Sequence, residues 1–213
     1  NLYARQSGFE SVIAMLRATD ADVITLQELS LEAAAALEAE LGARYPHRAL
    51  HPQSSSPLHG QGILSKFPIV DDEFWRIGLG QQRAVLDIDG QHVAVYNPHP
   101  NMPFEFKRLP PFDAMKRDAV MDDMLSRLAR ENGPVIVAGD FNLNDQSYQY
   151  ERITAMLADS WREAGVGLGN TWPAVHDADY AVTEWPQAAI PAPIMRIDFV
   201  FHSAHFHTQD VQV

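Results

Sequence analysis

The chain has 213 residues, 46% of them hydrophobic and 21% charged, with a formal net charge of −12 and no cysteine. That length suits one domain with a proper core, and the composition is that of a folded globular protein rather than a disordered one. Disulfides, thiolate metal sites and a thiol nucleophile are excluded, so a metal would need oxygen or imidazole ligands, and the acidic balance works against a broad electrostatic grip on nucleic acid.

In chain order, Phe9, Val12, Ile13 and Leu16 have helical spacing, and Ala21 to Leu26 reads as a short buried strand. Leu31 to Leu41 is predicted helical, the Pro/His/Ser stretch 46–60 irregular, and Gly62 to Leu64 a strand. Phe74 to Ile77, Ala84 to Ile88 and Val93 to Tyr96 form a predicted meander, with Asp89-Gly90 as the turn between the last two. Segment 98–113 is rich in Pro and Phe without a period. Met115 to Leu128 is a predicted helix, Val135 to Ala138 a strand, 150–165 a further helix, 173–195 a proline-rich connection and Ile197 to Phe201 a last strand. No apolar run is long enough to span a bilayer and no signal-peptide pattern is present. The chain begins at Asn1 without Met, which leaves room for a preceding targeting or anchoring segment and the cellular location open. Helices beside strands at both ends, with a meander between, suggest two packed sheets covered by helices.

Five places carry candidate chemistry. Glu28 follows a strand end, where open α/β folds place ligand-binding groups; the alternative is a helix cap. Gly139-Asp140-Phe141-Asn142 pairs a carboxylate able to accept a proton from water with an amide able to donate to a phosphoryl oxygen; the alternative is an Asx-turn. His99 follows a strand and can donate to a phosphate, although eight other histidines dilute the signal. His205 and His207 have the spacing of a metal pair or of a solvated edge strand. Asp198 alternates with Val200, which would place it on an apolar face where Arg196 or an imidazole must satisfy it.

Taken together, the runs Asn1-Leu2, Asp22-Val-Ile-Thr-Leu-Gln-Glu28, Gly62-Ile-Leu-Ser-Lys-Phe-Pro-Ile69, Asn97-Pro-His99, Pro134-Val-Ile-Val-Ala-Gly-Asp-Phe-Asn142, Thr171-Trp-Pro173 and Arg196-Ile-Asp198 resemble the endonuclease/exonuclease/phosphatase superfamily. It includes DNase I-like nucleases, abasic-site endonucleases, inositol-polyphosphate phosphatases and neutral sphingomyelinases. Each run is weak alone, but they occur in family order across nearly the whole chain. The resemblance implies an α/β four-layer sandwich, two mostly antiparallel sheets face to face with helices outside, and a divalent cation, Mg²⁺ or alternatively Mn²⁺. It implies that Glu28 binds the metal with Asn1 beside it, Asp140 activates the attacking water, Asn142 stabilises the phosphoryl oxygens, His99 contacts the scissile phosphate and Asp198 aligns a second histidine.

That second histidine belongs to a Ser-Asp-His segment on a last strand, and the sequence stops at Val213 before any such segment. The expectation is therefore a single domain over 1–213 without its first strand and its Ser-Asp-His strand, with weak Mg²⁺ binding and poor turnover. Pro98 stands where the family usually has Thr, and Lys66 where Arg is common. The expected activity is phosphodiester hydrolysis by in-line attack of water, on nucleic acid or a phospholipid head group; the alternative is a non-catalytic binding module on the same fold. Asn1, Arg196 and Trp172 are the substrate-binding candidates. Phe104, Phe106 and Phe112 beside Lys107 and Arg108, and Trp172, Tyr180 and Trp185, form two aromatic loops suited to stacking on bases or dipping into a membrane interface. No stable protein partner is expected.

Overall fold

The computed structural model describes residues 1–2, 8–103, 112–172 and 193–213. Its first half is helix α1 (Glu10–Thr19), strand β1 (Val23–Gln27), helix α2 (Leu31–Leu41), strand β2 (His47–His51) and strand β3 (Gln61–Ser65). The Ser30 side chain accepts from the Ala33 N–H at 3.0 Å and caps α2. Strands pair antiparallel in the order β1-β3-β2. Strand β2 lies in the stretch expected to be irregular: Pro46 and Pro52 bracket it and only Ala49 is buried, so its strand character comes from pairing with β3.

The second half is β4 (Ile69–Ile77), β5 (Leu79–Ile88), β6 (Gln91–Asn97), α3 (Met115–Leu128), β7 (Val135–Asp140), α4 (Tyr148–Thr154), β8 (Ala158–Asp159), α5 (Ser160–Ala164) and β9 (Asp198–His202). These strands form one sheet in the order β4-β5-β6-β7-β9-β8, antiparallel except for the β6–β7 pair. That parallel step needs a long crossover, which α3 occupies. Asp89 and Gly90 both have positive φ, 53° and 85°, as a two-residue hairpin of the type I′ kind requires. The helix expected over 150–165 is two short ones: α4 stops before Met156, and the Asp159 carboxylate caps α5 by accepting from Trp161 N–H at 2.9 Å.

Alternating residues on each strand face different layers. Ile63, Ala84, Leu86, Val93 and Val95 meet between the two sheets. Ile24, Leu26 and Leu64 turn the other way onto Leu16, Leu37 and Leu41 of α1 and α2. On the far side Tyr96, Val137, Phe199 and Phe201 pack against Met121, Met124, Leu125 and Ile153 of α3 and α4. The result is four layers: helices, small sheet, large sheet, helices.

One edge of this sandwich is polar. The ends of β1, β6 and β7 and the starts of β3 and β9 gather there, because Gln27 pairs with Gln61, and Asp140 with Asp198. Fully buried amides tie the sheets together beneath it. Gln27 Nε2 donates to Asn97 Oδ1 at 2.6 Å, and Asn97 Nδ2 donates to the Leu26 and Gly62 carbonyls at 3.0 and 3.1 Å.

Candidate active site

Glu28 is the first residue beyond β1 and adopts φ 61°, a left-handed conformation that costs a non-glycine residue roughly 1 kcal/mol or more. The turn buries Leu29 completely and frees Ser30 to cap α2, leaving the Glu28 side chain at the polar edge, so the helix-cap alternative falls to Ser30. Asn1 is held at the same edge, since the Leu2 N–H donates to the Gln27 carbonyl at 2.9 Å. The Asn1 side-chain nitrogen then donates to Glu28 Oε1 and to Asp140 Oδ2, both at 2.9 Å. Two carboxylates from opposite sheets therefore converge on one point.

Asp140 ends β7. Its Oδ1 accepts from the Asn142 backbone N–H at 2.9 Å, and Asn142 turns with φ 48°, a region Asn tolerates better than most side chains. The Asx-turn and the site thus use the same residues. Asn142 Nδ2 donates to the Pro100 carbonyl at 2.9 Å, and a side-chain amide has a second N–H to offer. His99 is almost fully buried, with Nε2 3.9 Å from Glu28 Oε1 and from Asp140 Oδ2, facing both carboxylates from beyond hydrogen-bond range.

Burial dominates the electrostatics. It lowers the His99 pKa to about 4 against the attraction of Glu28, so the imidazole is neutral at pH 7. Burial also raises the Asp140 carboxyl above its ordinary value, against hydrogen bonding from Asn1. Asp198 is raised by burial and then by the Asp140 charge opposite it. Like charges face each other across the ladder, and among the described residues no guanidinium or ammonium side chain bonds to Asp140, an arrangement that would attract an added cation. The carboxylate oxygens of Glu28 and Asp140 are the hard donors that could hold a Mg²⁺ ion, whereas Asn1 presents its amide nitrogen to them. No group of three or more His, Asp or Glu forms a metal cage among the described residues.

Two sequence-derived readings change. Asp198 shares its face of β9 with exposed Val200, while Phe199 and Phe201 turn into the core, so Asp198 is not on the apolar face. Nor does it pair with Arg196. Both Arg196 terminal nitrogens donate to the Asp159 carboxylate, at 2.9 and 2.7 Å, in a buried bidentate pair that also stacks on Phe199. Arg196 is thereby turned away from the polar edge. Trp172 is pinned by its backbone, its N–H donating to the Met195 carbonyl at 2.9 Å. His205 and His207 follow β9 in a non-strand segment. Of the aromatic-loop residues, Phe112 is exposed; Phe104, Phe106, Lys107, Arg108, Tyr180 and Trp185 lie outside the described residues.

The site also uses residues to which the sequence reading assigns no role. Thr171 Oγ1 accepts from the Ile197 and Asp198 backbone N–H groups at 3.1 and 3.2 Å, fixing the start of β9. The Gln81 side chain bonds to the backbone of His99 in both directions. Polar residues in a strand read as solvent-facing, and only the packing of two sheets buries them.

A sequence model of the endonuclease/exonuclease/phosphatase family matches residues 1–213. No curated protein matches. Among solved structures, truncated TDP2 from Caenorhabditis elegans superposes with a TM-score of 0.71 at 20% identity, over 95% of this chain and 81% of that one. Sphingomyelinase C from Streptomyces griseocarneus gives 0.67 at 20% identity, over 94% and 76%. A mannosyl-6-phosphatase from Bacteroides thetaiotaomicron gives 0.60 at 19%, over 93% and 77%. At these identities the likeness is one of fold, the DNase I-like four-layer sandwich.

Proposed function

The chain belongs to the endonuclease/exonuclease/phosphatase family, a family of phosphoester hydrolases, and from that premise we propose that it is a phosphodiesterase dependent on a divalent cation, Mg²⁺ before Mn²⁺. The observation that carries this reading is the convergence of Glu28 Oε1 and Asp140 Oδ2 on one point, with His99 Nε2 equidistant from both. A bound cation would supply Lewis-acid polarisation of a phosphoryl oxygen, held by Glu28 with Asn1 beside it.

The protein's own groups do the rest. Asp140 takes the proton of the attacking water as the new P–O bond forms; its raised basicity suits that task. Asn142 is oriented by the Pro100 carbonyl so that its second N–H can meet a non-bridging phosphoryl oxygen as the water attacks, while the breaking P–O bond leaves its electron pair on the departing oxygen, which takes a proton from solvent. His99, neutral at pH 7, donates an N–H to the scissile phosphate, and Asp198 holds the charge pattern around Asp140. Arg196 and Trp172 act on substrate only indirectly, by shaping the approach to β9. The substrate class is a phosphodiester of a nucleic acid or a phospholipid head group; relatives of this fold include a protein named for sphingomyelin cleavage.

The test is hydrolysis of bis-p-nitrophenyl phosphate by the intact protein with Mg²⁺, beside its Asp140→Ala variant. The expected result is cation-dependent release of p-nitrophenol that the variant lacks. Activity surviving in Asp140→Ala would sink the mechanism.

A further inference from the structure

His99 lies between Pro98 and Pro100, and neither proline has a backbone N–H. Over residues 98–100 the chain therefore has a single amide donor, that of His99, at the point where the β5–β6 ladder stops with the Gln82–Asn97 pair. A catalytic imidazole on such a segment has little backbone to hold it. The side chain of Gln81 supplies what is missing. Its Oε1 accepts from the His99 N–H at 3.0 Å, and its Nε2 donates to the His99 carbonyl at 2.9 Å.

This is the two-way pairing that a neighbouring strand residue would make, done by a side-chain amide that is 2% exposed. The Gln81 backbone meanwhile stays in register with Trp75 on β4, so the clamp is anchored to the large sheet. Next to it, Gln61 Nε2 donates to the Gly80 carbonyl at 2.6 Å and ties the start of β5 to the small sheet. The other end of the proline segment is hooked by Asn142 through the Pro100 carbonyl.

We propose that Gln81 is a positioning residue, which fixes the imidazole of His99 over Glu28 and Asp140 by clamping the His99 backbone between two prolines. The catalytic consequence rests on the phosphodiesterase reading; the clamp itself does not. Gln81 touches no reacting atom and acts only through His99. Replacing it frees the segment 98–100 to shift, and a displacement of about 1 Å at a catalytic group costs up to about 100-fold in rate.

Gln81→Met keeps the length and removes both polar ends; Gln81→Glu keeps the acceptor for the His99 N–H and loses the donor. Amide exchange followed by NMR needs no activity. His99 N–H should exchange about tenfold faster or more in Gln81→Met, with the β5–β6 ladder amides at wild-type rates. With bis-p-nitrophenyl phosphate and Mg²⁺, kcat should fall by about tenfold or more with KM within about threefold, and Gln81→Glu should lie between.

Unchanged exchange at His99 overturns the clamp whatever the activity does. Faster exchange at His99 and throughout the ladder marks general loosening and overturns it too. Fast exchange confined to His99 with an undiminished kcat overturns the catalytic role. A wild-type protein that leaves the probe intact removes the phosphodiesterase reading, while exchange still decides the clamp; should Gln81→Met not fold, Gln81→Glu carries both readouts.

Discussion

Arg196 and Asp198 stand two residues apart at the start of one strand, yet they belong to buried charge clusters of opposite kinds. Around Arg196 the charges balance. Asp159 meets it through two hydrogen bonds, and the Tyr150 hydroxyl donates to the same carboxylate at 2.7 Å. Around Asp198, among the described residues, they do not. Asp140 faces it directly across the ladder, Glu28 joins from the other sheet, and the side chain among them able to carry positive charge, His99, is held neutral by burial. A fold has no reason to bury like charges for stability alone, so the unbalanced cluster is where function is to be sought and the balanced one is where the fold is held.

The largest effect that sharpens this contrast is on activity. Asp140→Asn should lower hydrolysis of bis-p-nitrophenyl phosphate by about 10³-fold, the scale of a lost general base. The same variant should melt at or above the wild-type temperature, because it removes a buried charge that opposes Asp198. A fall in melting temperature would mean that Asp140 is structural after all. The converse change is Arg196→Met, which leaves the Asp159 charge buried without its guanidinium. It should cost about 3–5 kcal/mol in urea denaturation, and the double variant with Asp159→Asn should recover much of that. Recovery absent in the double variant would break the idea that pairing is the role of Arg196.

The contrast also explains what the sequence revealed and what it did not. Helices Leu31–Leu41 and Met115–Leu128 have the expected bounds because strong periodicity meets clear ends. The ordered motif runs carried the family, and with it the layer order. Partnerships across the fold were not legible. The carboxylate that pairs with Arg196 lies 37 residues away, whereas the sequence offers Asp198 as the near partner. The face of β9 was also misread: alternation sorts residues into two sets but does not say which set packs inward, and here Phe199 and Phe201 against Phe141 and Tyr150 decide it. Gln81 was invisible for a related reason, since its burial depends on how two sheets meet rather than on local pattern.

A smaller effect follows from adding the missing positive charge. Mg²⁺ at about 100 times its dissociation constant should stabilise the wild-type fold by about 2.7 kcal/mol, if it binds only the folded chain. Glu28→Gln should lose most of that gain, and Arg196→Met, though less stable, should keep it. Thermal melts with and without Mg²⁺ check all three. Equal stabilisation of the wild type and Glu28→Gln would place the cation elsewhere.

The smallest effect concerns a second balanced cluster, remote from the polar edge. Glu131 accepts from Arg83 Nε at 2.6 Å, from Arg83 Nη2 at 3.2 Å and from the Tyr96 hydroxyl at 2.7 Å. Burial works to raise its pKa, but hydrogen bonds from Arg83 and Tyr96 outweigh that and leave it below the ordinary 4.5. A carboxyl whose folded pKa is depressed contributes stability that is fully present above the unfolded value and is lost as the pH falls through the folded one. Stability should therefore decline below about pH 4.5, and Glu131→Gln, weaker at neutral pH, should show a shallower acid limb. Its turnover per folded molecule should equal that of the wild type, because a balanced cluster shapes the fold and leaves the chemistry to the unbalanced one. An altered kcat in Glu131→Gln, with the acid limb unchanged, would erase the distinction between the two kinds of cluster.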